Sequence, residues 1–185
     1  MSAAGGPGAP RISGAGGPGG PGGPDSIGEA TGAAWRVDLF CRVIDNLGDA
    51  AVCWRLARQL SEEHGCTVRL WIDQPEVLAR LVPGARAARR MQGVRIEAWR
   101  PQTAALAQAR NKDVADVVIA GFGCDLPAGY RSAMRHTRSV WINLEYFSAE
   151  AWTLGSHGLP SPKSDGLTEH FFIPGPGPAT GGLLR

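Results

Sequence analysis

The sequence predicts an α/β domain, a parallel sheet with helices on both faces, and three observations carry that expectation. From Trp35 onward, short β-rich runs alternate with helical stripes, strand then helix. One run, VADVVIA at 114–120, is apolar almost throughout, as a strand covered on both faces must be. The first run ends in a polar, glycine-containing loop that opens directly into a helical stripe. Because crossovers between parallel strands are right-handed, the expected architecture is doubly wound and Rossmann-like.

Each element has its own warrant. RVDLFCRV (36–43) is a short β-rich run bounded by a polar turn. The helix after it is marked by Val52, Leu56 and Leu60 at four-residue spacing, with Cys53 and Ala57 beside them. TVRLWI (67–72) reads as a second strand, and PEVLARL (75–81) as a short helix with proline at its first position. VRIEAW (94–99) is a third strand and TAALAQAR (103–110) is helical. After the apolar run at 114–120, PAGYRSAMRH (127–136) is helical and SVWINLEYF (139–147) is another strand. Trp54, Trp71, Trp99 and Trp141 fall inside these elements, so packing is their expected role rather than stacking on a sugar.

The ends differ from this middle. Residues 1–34 are rich in Gly, Pro and Ala with almost no large apolar side chains, so ordering them would cost entropy for little burial. They are expected to form a disordered extension, and their few GGP triplets are too short a run for a collagen helix. The expected domain runs from 35 to 156. Residues 157–185 read as a loop-rich segment with one apolar run at Phe171–Ile173, leading toward a further domain.

Composition narrows the function. In 185 residues the formal net charge is +2, which gives no case for nucleic acid or an anionic membrane as partner. No stretch reaches the roughly 18 apolar residues of a membrane span, and no basic start with an apolar core marks a secretory signal. The four cysteines are far apart, without a C-x-x-C pair, and the four histidines form no ligand cluster. A metal site is therefore not expected, and the thiols suit a reducing, cytoplasmic setting.

The loop IDNLGD (44–49) is the candidate site. In an open α/β sheet, ligands gather at the carboxyl ends of strands, and this loop lies at one. Gly48 permits a tight turn or close backbone approach. Spacing alone leaves two readings open. Asp49 is a favoured helix N-cap and Asp45 and Asn46 are ordinary turn residues, or the two carboxylates face a ligand. A dinucleotide-binding G-x-G-x-x-G is missing, which disfavours a nicotinamide-dependent oxidoreductase and leaves Asp73 as a capping or turn residue. Asn143 and Glu145, alternating near the end of a strand, face either the cleft or structural partners. His157 reads as a loop residue, and Arg55 and Arg58 as a solvated helix face.

Six segments in order decide further. FCRVIDNLGDAAVCWRLARQL, VRLWIDQPEVL, DVVIAGFGCDLP (116–127), WINLEYFSAE (141–150), HGLPSP (157–162) and TGGLLR resemble the elongation factor P arginine rhamnosyltransferases, the EarP family, over roughly Trp35 to Arg185. The resemblance implies the N-terminal, acceptor-side domain of a GT-B type glycosyltransferase, in which two Rossmann-like domains face each other across a cleft. It implies transfer of L-rhamnose from the nucleotide-sugar donor dTDP-β-L-rhamnose to an arginine of translation elongation factor P, with inversion and without metal or other cofactor. By position, Asp49 matches the family's catalytic base and Asp45 its supporting aspartate, while Asn46, Leu47 and Gly48 match the loop that approaches the donor. A further catalytic-region glutamate of the family lies in the second domain. The rival reading is a non-catalytic fragment that binds elongation factor P or a nucleotide. Departures from the family pattern are Ala51 where it has glycine, Ala120 and Gly121 where it often has a polar pair, and extra Pro and Gly near the end of the chain.

Overall fold

The computed structural model describes residues 34–85, 88–100 and 102–182. The extension expected over 1–34 lies outside the described residues except for Ala34, as do the last three residues. Eight strands form one sheet: β1 (Arg36–Cys41), β2 (Thr67–Ile72), β3 (Arg90–Met91), β4 (Val94–Ala98), β5 (Val117–Gly121), β6 (Val140–Leu144), β7 (Pro160–Pro162) and β8 (Thr168–Phe172). Four α-helices are interleaved: α1 (Asn46–Glu62), α2 (Pro75–Leu81), α3 (Ala104–Ala107) and α4 (Ala128–Met134). The sheet order is β3-β4-β2-β1-β5-β6-β8-β7, with β4, β2, β1, β5, β6 and β8 mutually parallel. The parallel strands run outward in both directions from the β1–β5 pair, so the chain reverses its sense of winding there. That reversal is the switch point of a Rossmann-like sheet, where a crevice opens beyond the carboxyl ends of the strands.

Alternation along β1 builds two cores. Leu39 and Cys41 pack with Cys53, Trp54 and Ala57 of α1 and with Leu70 and Ile72 of β2. Phe40 faces the other way, among Trp71, Trp99, Leu106, Val118, Tyr130 and Trp141. There Phe40 stacks on Trp71 with centroids 5.9 Å apart and meets Trp99 and Tyr130 edge-on at 5.7 and 5.1 Å. The four tryptophans of the predicted elements are all buried, in the packing role expected. Small residues set the spacing: a Cβ on Gly121 would come within 3.0 Å of Cys53 Sγ and 3.1 Å of the Phe40 carbonyl. Gly121 thus lets α1 lie close on the sheet, while Ala120 packs on the opposite face with Phe40.

The structure departs from the sequence reading mostly at edges. The helix expected over 103–110 shrinks to α3, followed by a 3-10 turn at Asn111–Asp113. β1 and β6 stop at Cys41 and Leu144, short of the expected 43 and 147, because the chain leaves the ladder to build the crevice loops. β3 was not anticipated. It is a two-residue strand folded back by Gln92 (φ 48°) and Gly93 (φ 77°), a turn whose left-handed residues suit a hairpin. The largest departure is at the end of the chain. The segment expected to be loop-rich supplies β7 and β8, and β8 pairs with β6 in parallel register from Trp141↔Glu169 to Leu144↔Phe172. The sheet therefore continues past residue 156.

Candidate functional site at the switch point

α1 starts at Asn46, whose φ of 38° is left-handed, a conformation asparagine tolerates. Asp45 occupies the N-cap position but its side chain makes no capping hydrogen bond. Asp49, a candidate for that cap, instead lies one turn inside the helix. Its carboxylate reaches back: Oδ2 accepts the backbone N–H of Ile44 and of Asp45, each at 2.8 Å. It thereby satisfies donors that precede the helix, as a cap would, from the opposite side. Asp49 is only 1% exposed. Its third donor is the Tyr146 hydroxyl, 3.0 Å from Oδ1. All three donors are neutral, and no lysine, arginine or histidine among the described residues pairs with it. Charge-assisted hydrogen bonds and the positive end of α1 hold this buried anion.

Tyr146, in the loop after β6, was missed by the sequence reading, which placed it inside a strand. Its ring stacks on Phe122 with centroids 4.3 Å apart and planes 15° from parallel. Phe122 follows β5 in a left-handed conformation (φ 58°), rare for a non-glycine residue. Its N–H donates to the Leu144 carbonyl at 2.6 Å, which ties the loops after β5 and β6 together. The next residue, Gly123, donates its N–H to Asn143 Oδ1 at 3.1 Å, and Asn143 Nδ2 donates to Glu145 at 2.9 Å. Asn143 and Glu145 thus brace the loops. Partial burial pushes the Tyr146 phenol up to about 12, aided by its bond to Asp49 and by the charges of Asp49 and Asp45. The hydroxyl therefore keeps its proton at neutral pH and stays a donor.

Of the segment expected as a loop, Asp45 and the first helical residues Asn46, Leu47 and Gly48 are exposed. The chain thus brings one buried and one exposed carboxylate to the Tyr146 hydroxyl. Gly48 is where close approach matters, since a Cβ there would lie 2.9 Å from Asp45 Oδ2. Ala51, the departure from the family pattern, is an ordinary half-buried position within α1. On the other side of the loop, Asp73 Oδ1 accepts the Val43 N–H at 2.9 Å, and Trp99 Nε1 donates to the Cys41 carbonyl at 3.1 Å. Asp73 is therefore a loop tie. His157 is another: its Nδ1 accepts the Ile173 N–H at 3.1 Å.

The site is an open edge. A cavity of about 310 Å³ lies beside Arg69 and Trp71, and one of about 510 Å³ beside Trp141 and His170; neither touches Asp49. Two carboxylates and a half-exposed aromatic stack, with no cation paired to Asp49 among the described residues, make an edge suited to a cationic group: the carboxylates accept its N–H donors and the ring faces attract its charge.

Fold and edge together define a doubly wound α/β domain with an acidic, aromatic switch point. Comparison with known proteins is more specific. Residues 37–185 match the family model described as Elongation-Factor P (EF-P) rhamnosyltransferase EarP. A protein-arginine rhamnosyltransferase of Pseudomonas aeruginosa is 48% identical over 158 residues, covering 83% of this chain and 40% of that protein. One from Pseudomonas putida is 49% identical over the same shares, and one from Neisseria meningitidis serogroup B is 38% identical over 80% of this chain and 38% of its own length. The chain belongs to the EarP family, and it spans about 40% of the length of these relatives.

Proposed function

We propose that this chain is the acceptor-side part of a metal-independent, inverting protein-arginine rhamnosyltransferase. It moves L-rhamnose from dTDP-β-L-rhamnose to an arginine of translation elongation factor P, in the cytoplasm, and needs no cofactor. The observation that carries the reading is the buried Asp49 carboxylate, held at the switch point by neutral donors and without a cationic partner among the described residues. The described helices include none long and apolar enough to cross a membrane.

The acceptor chemistry constrains the role of the aspartates. A guanidinium has a pKa above about 12. A carboxylate near 4 that removed its proton outright would face a gap of about 8 units, roughly 11 kcal/mol. The proton must leave during the transfer. Asp45 and Asp49 first grip the guanidinium by charge-assisted hydrogen bonds and aim one nitrogen at the sugar carbon. As the C–N bond forms, the C–O bond to the diphosphate breaks and its electron pair leaves with dTDP. The nitrogen becomes acidic at that moment, and its proton passes to Asp49. The two negative groups also favour the positive charge that develops on the sugar.

The test is the intact mass of elongation factor P after incubation with dTDP-L-rhamnose and the protein expressed from its complete reading frame. A gain of one deoxyhexose, lost with Asp49→Asn, supports the reading. Elongation factor P that binds without any gain in mass refutes transfer and leaves a binding module.

A further inference from the structure

We propose that Tyr146 is a positioning residue for this transfer: its hydroxyl fixes the Asp49 carboxylate in one orientation and its half-exposed ring forms the approach along which the acceptor reaches Oδ1. The proposal rests on the reading of Asp49 given above.

The geometry allots the carboxylate's accepting capacity. Oδ2 is committed to the N–H groups of Ile44 and Asp45, which are backbone and do not move aside. Oδ1 takes the Tyr146 hydroxyl and keeps one lone pair, which is all that remains for an incoming N–H. Without the phenol, Oδ1 would have no second anchor and the carboxylate plane could turn about its Cβ–Cγ bond. Asp49 is 1% exposed whereas Tyr146 is 47% exposed, so the ring is the outward-facing part of the pair. The ring is itself held. It stacks on Phe122, whose backbone is kept in a left-handed conformation and tied to Leu144, two residues before Tyr146. Such strain persists only where the surroundings impose it. The titratable groups that face the pair are Asp45 from the same loop, Cys53 from α1 and Cys41 at the end of β1. Among the described residues none of these is a cation, and none takes the phenol's place as the hydrogen-bond donor to Oδ1.

The test compares wild type, Tyr146→Phe and Asp49→Asn of the full-length protein, with elongation factor P and dTDP-L-rhamnose as substrates. The readouts are kcat, KM and Tm. Phe keeps the ring stack and removes only the hydroxyl. The expected result for Tyr146→Phe is a kcat lower by about tenfold, a KM for elongation factor P within about twofold, and an unchanged Tm. A wild-type kcat in Tyr146→Phe, with Asp49→Asn inactive, overturns the role of Tyr146 and leaves Asp49 as base. A lower kcat accompanied by a fall in Tm or an equal loss in acceptor KM marks a merely structural contact and overturns it too. Wild-type turnover in Asp49→Asn removes the underlying reading, and this proposal with it.

Discussion

Two carboxylates are buried in this domain within twelve residues of each other, and they are treated in opposite ways. Asp38, in the middle of β1, is fully buried and meets a cation. Its cross-strand neighbour Arg69 donates to both its oxygens, at 2.6 and 2.5 Å, and the Tyr130 hydroxyl donates to Oδ2 at 2.5 Å. Burial and the nearby Asp38 charge push the Tyr130 phenol up, so it remains a donor. Asp49, at the end of the crevice, is as deeply buried, but among the described residues it receives only N–H groups and a hydroxyl. The first carboxylate is neutralised from within and has nothing left to offer a ligand. The second meets no cation among the described residues and sits beside an exposed carboxylate, which is why it is the one proposed to receive a positively charged group.

The contrast can be broken from either side. The largest effect is expected on stability: Asp38→Ala strands Arg69 without its partner and should cost about 3–5 kcal/mol, read from urea unfolding. Asp49→Asn should cost only about 1 kcal/mol by the same measure, since the amide oxygen can still accept the two backbone donors, while turnover falls about 10²–10⁴-fold. Equal stability losses for the two would erase the distinction. Tyr130→Phe comes next. It leaves Asp38 and the Ala115 N–H short of a partner, at a cost of about 1–3 kcal/mol, with transfer unaffected. Gly48→Ala should act the other way round. The helix gains up to about 1 kcal/mol of propensity, yet the new methyl displaces the Asp45 carboxylate, and kcat should fall about tenfold. The smallest effect is spectroscopic. The Tyr146 phenol, raised to about 12, should titrate closer to its ordinary 10 in Asp49→Asn, seen by ultraviolet absorbance. Because the folded value is the higher one, the associated stability is complete below about 10 and is lost as pH climbs toward 12.

The parts of this picture legible in the sequence are those with a period or a run. The parallel strands β1, β2, β4, β5 and β6 and the long helix α1 announced themselves as β-rich segments and a four-residue stripe. The strand-to-helix junction was legible as a place, but the expected loop at 44–49 is mostly helix, since Asn46–Asp49 form the first turn of α1. What failed was anything set by register or by a single dihedral angle. Asp49 read as a possible cap because the left-handed start at Asn46, which moves the helix forward by a turn, leaves no composition signal. Tyr146 was hidden in an apparently continuous strand, and its partner lies 97 residues away. Asp38 and Arg69 could be matched only once β1 and β2 were in register. β8 was obscured by a polar, glycine-rich surrounding, and the apolar signal at Phe171–Ile173 was its only trace.

The two outer strands have a consequence for how this domain behaves in company. A sheet edge is a row of unpaired N–H and C=O groups that invites another chain to add itself, and open edges are where soluble sheets polymerise. Here one border is β3, only two residues long. The other is β7, Pro160–Ser161–Pro162, in which two of three residues have no N–H to donate. Neither border offers a strand-length template. Among the described residues, the sheet's borders therefore hold back its hydrogen-bonding groups from an added strand.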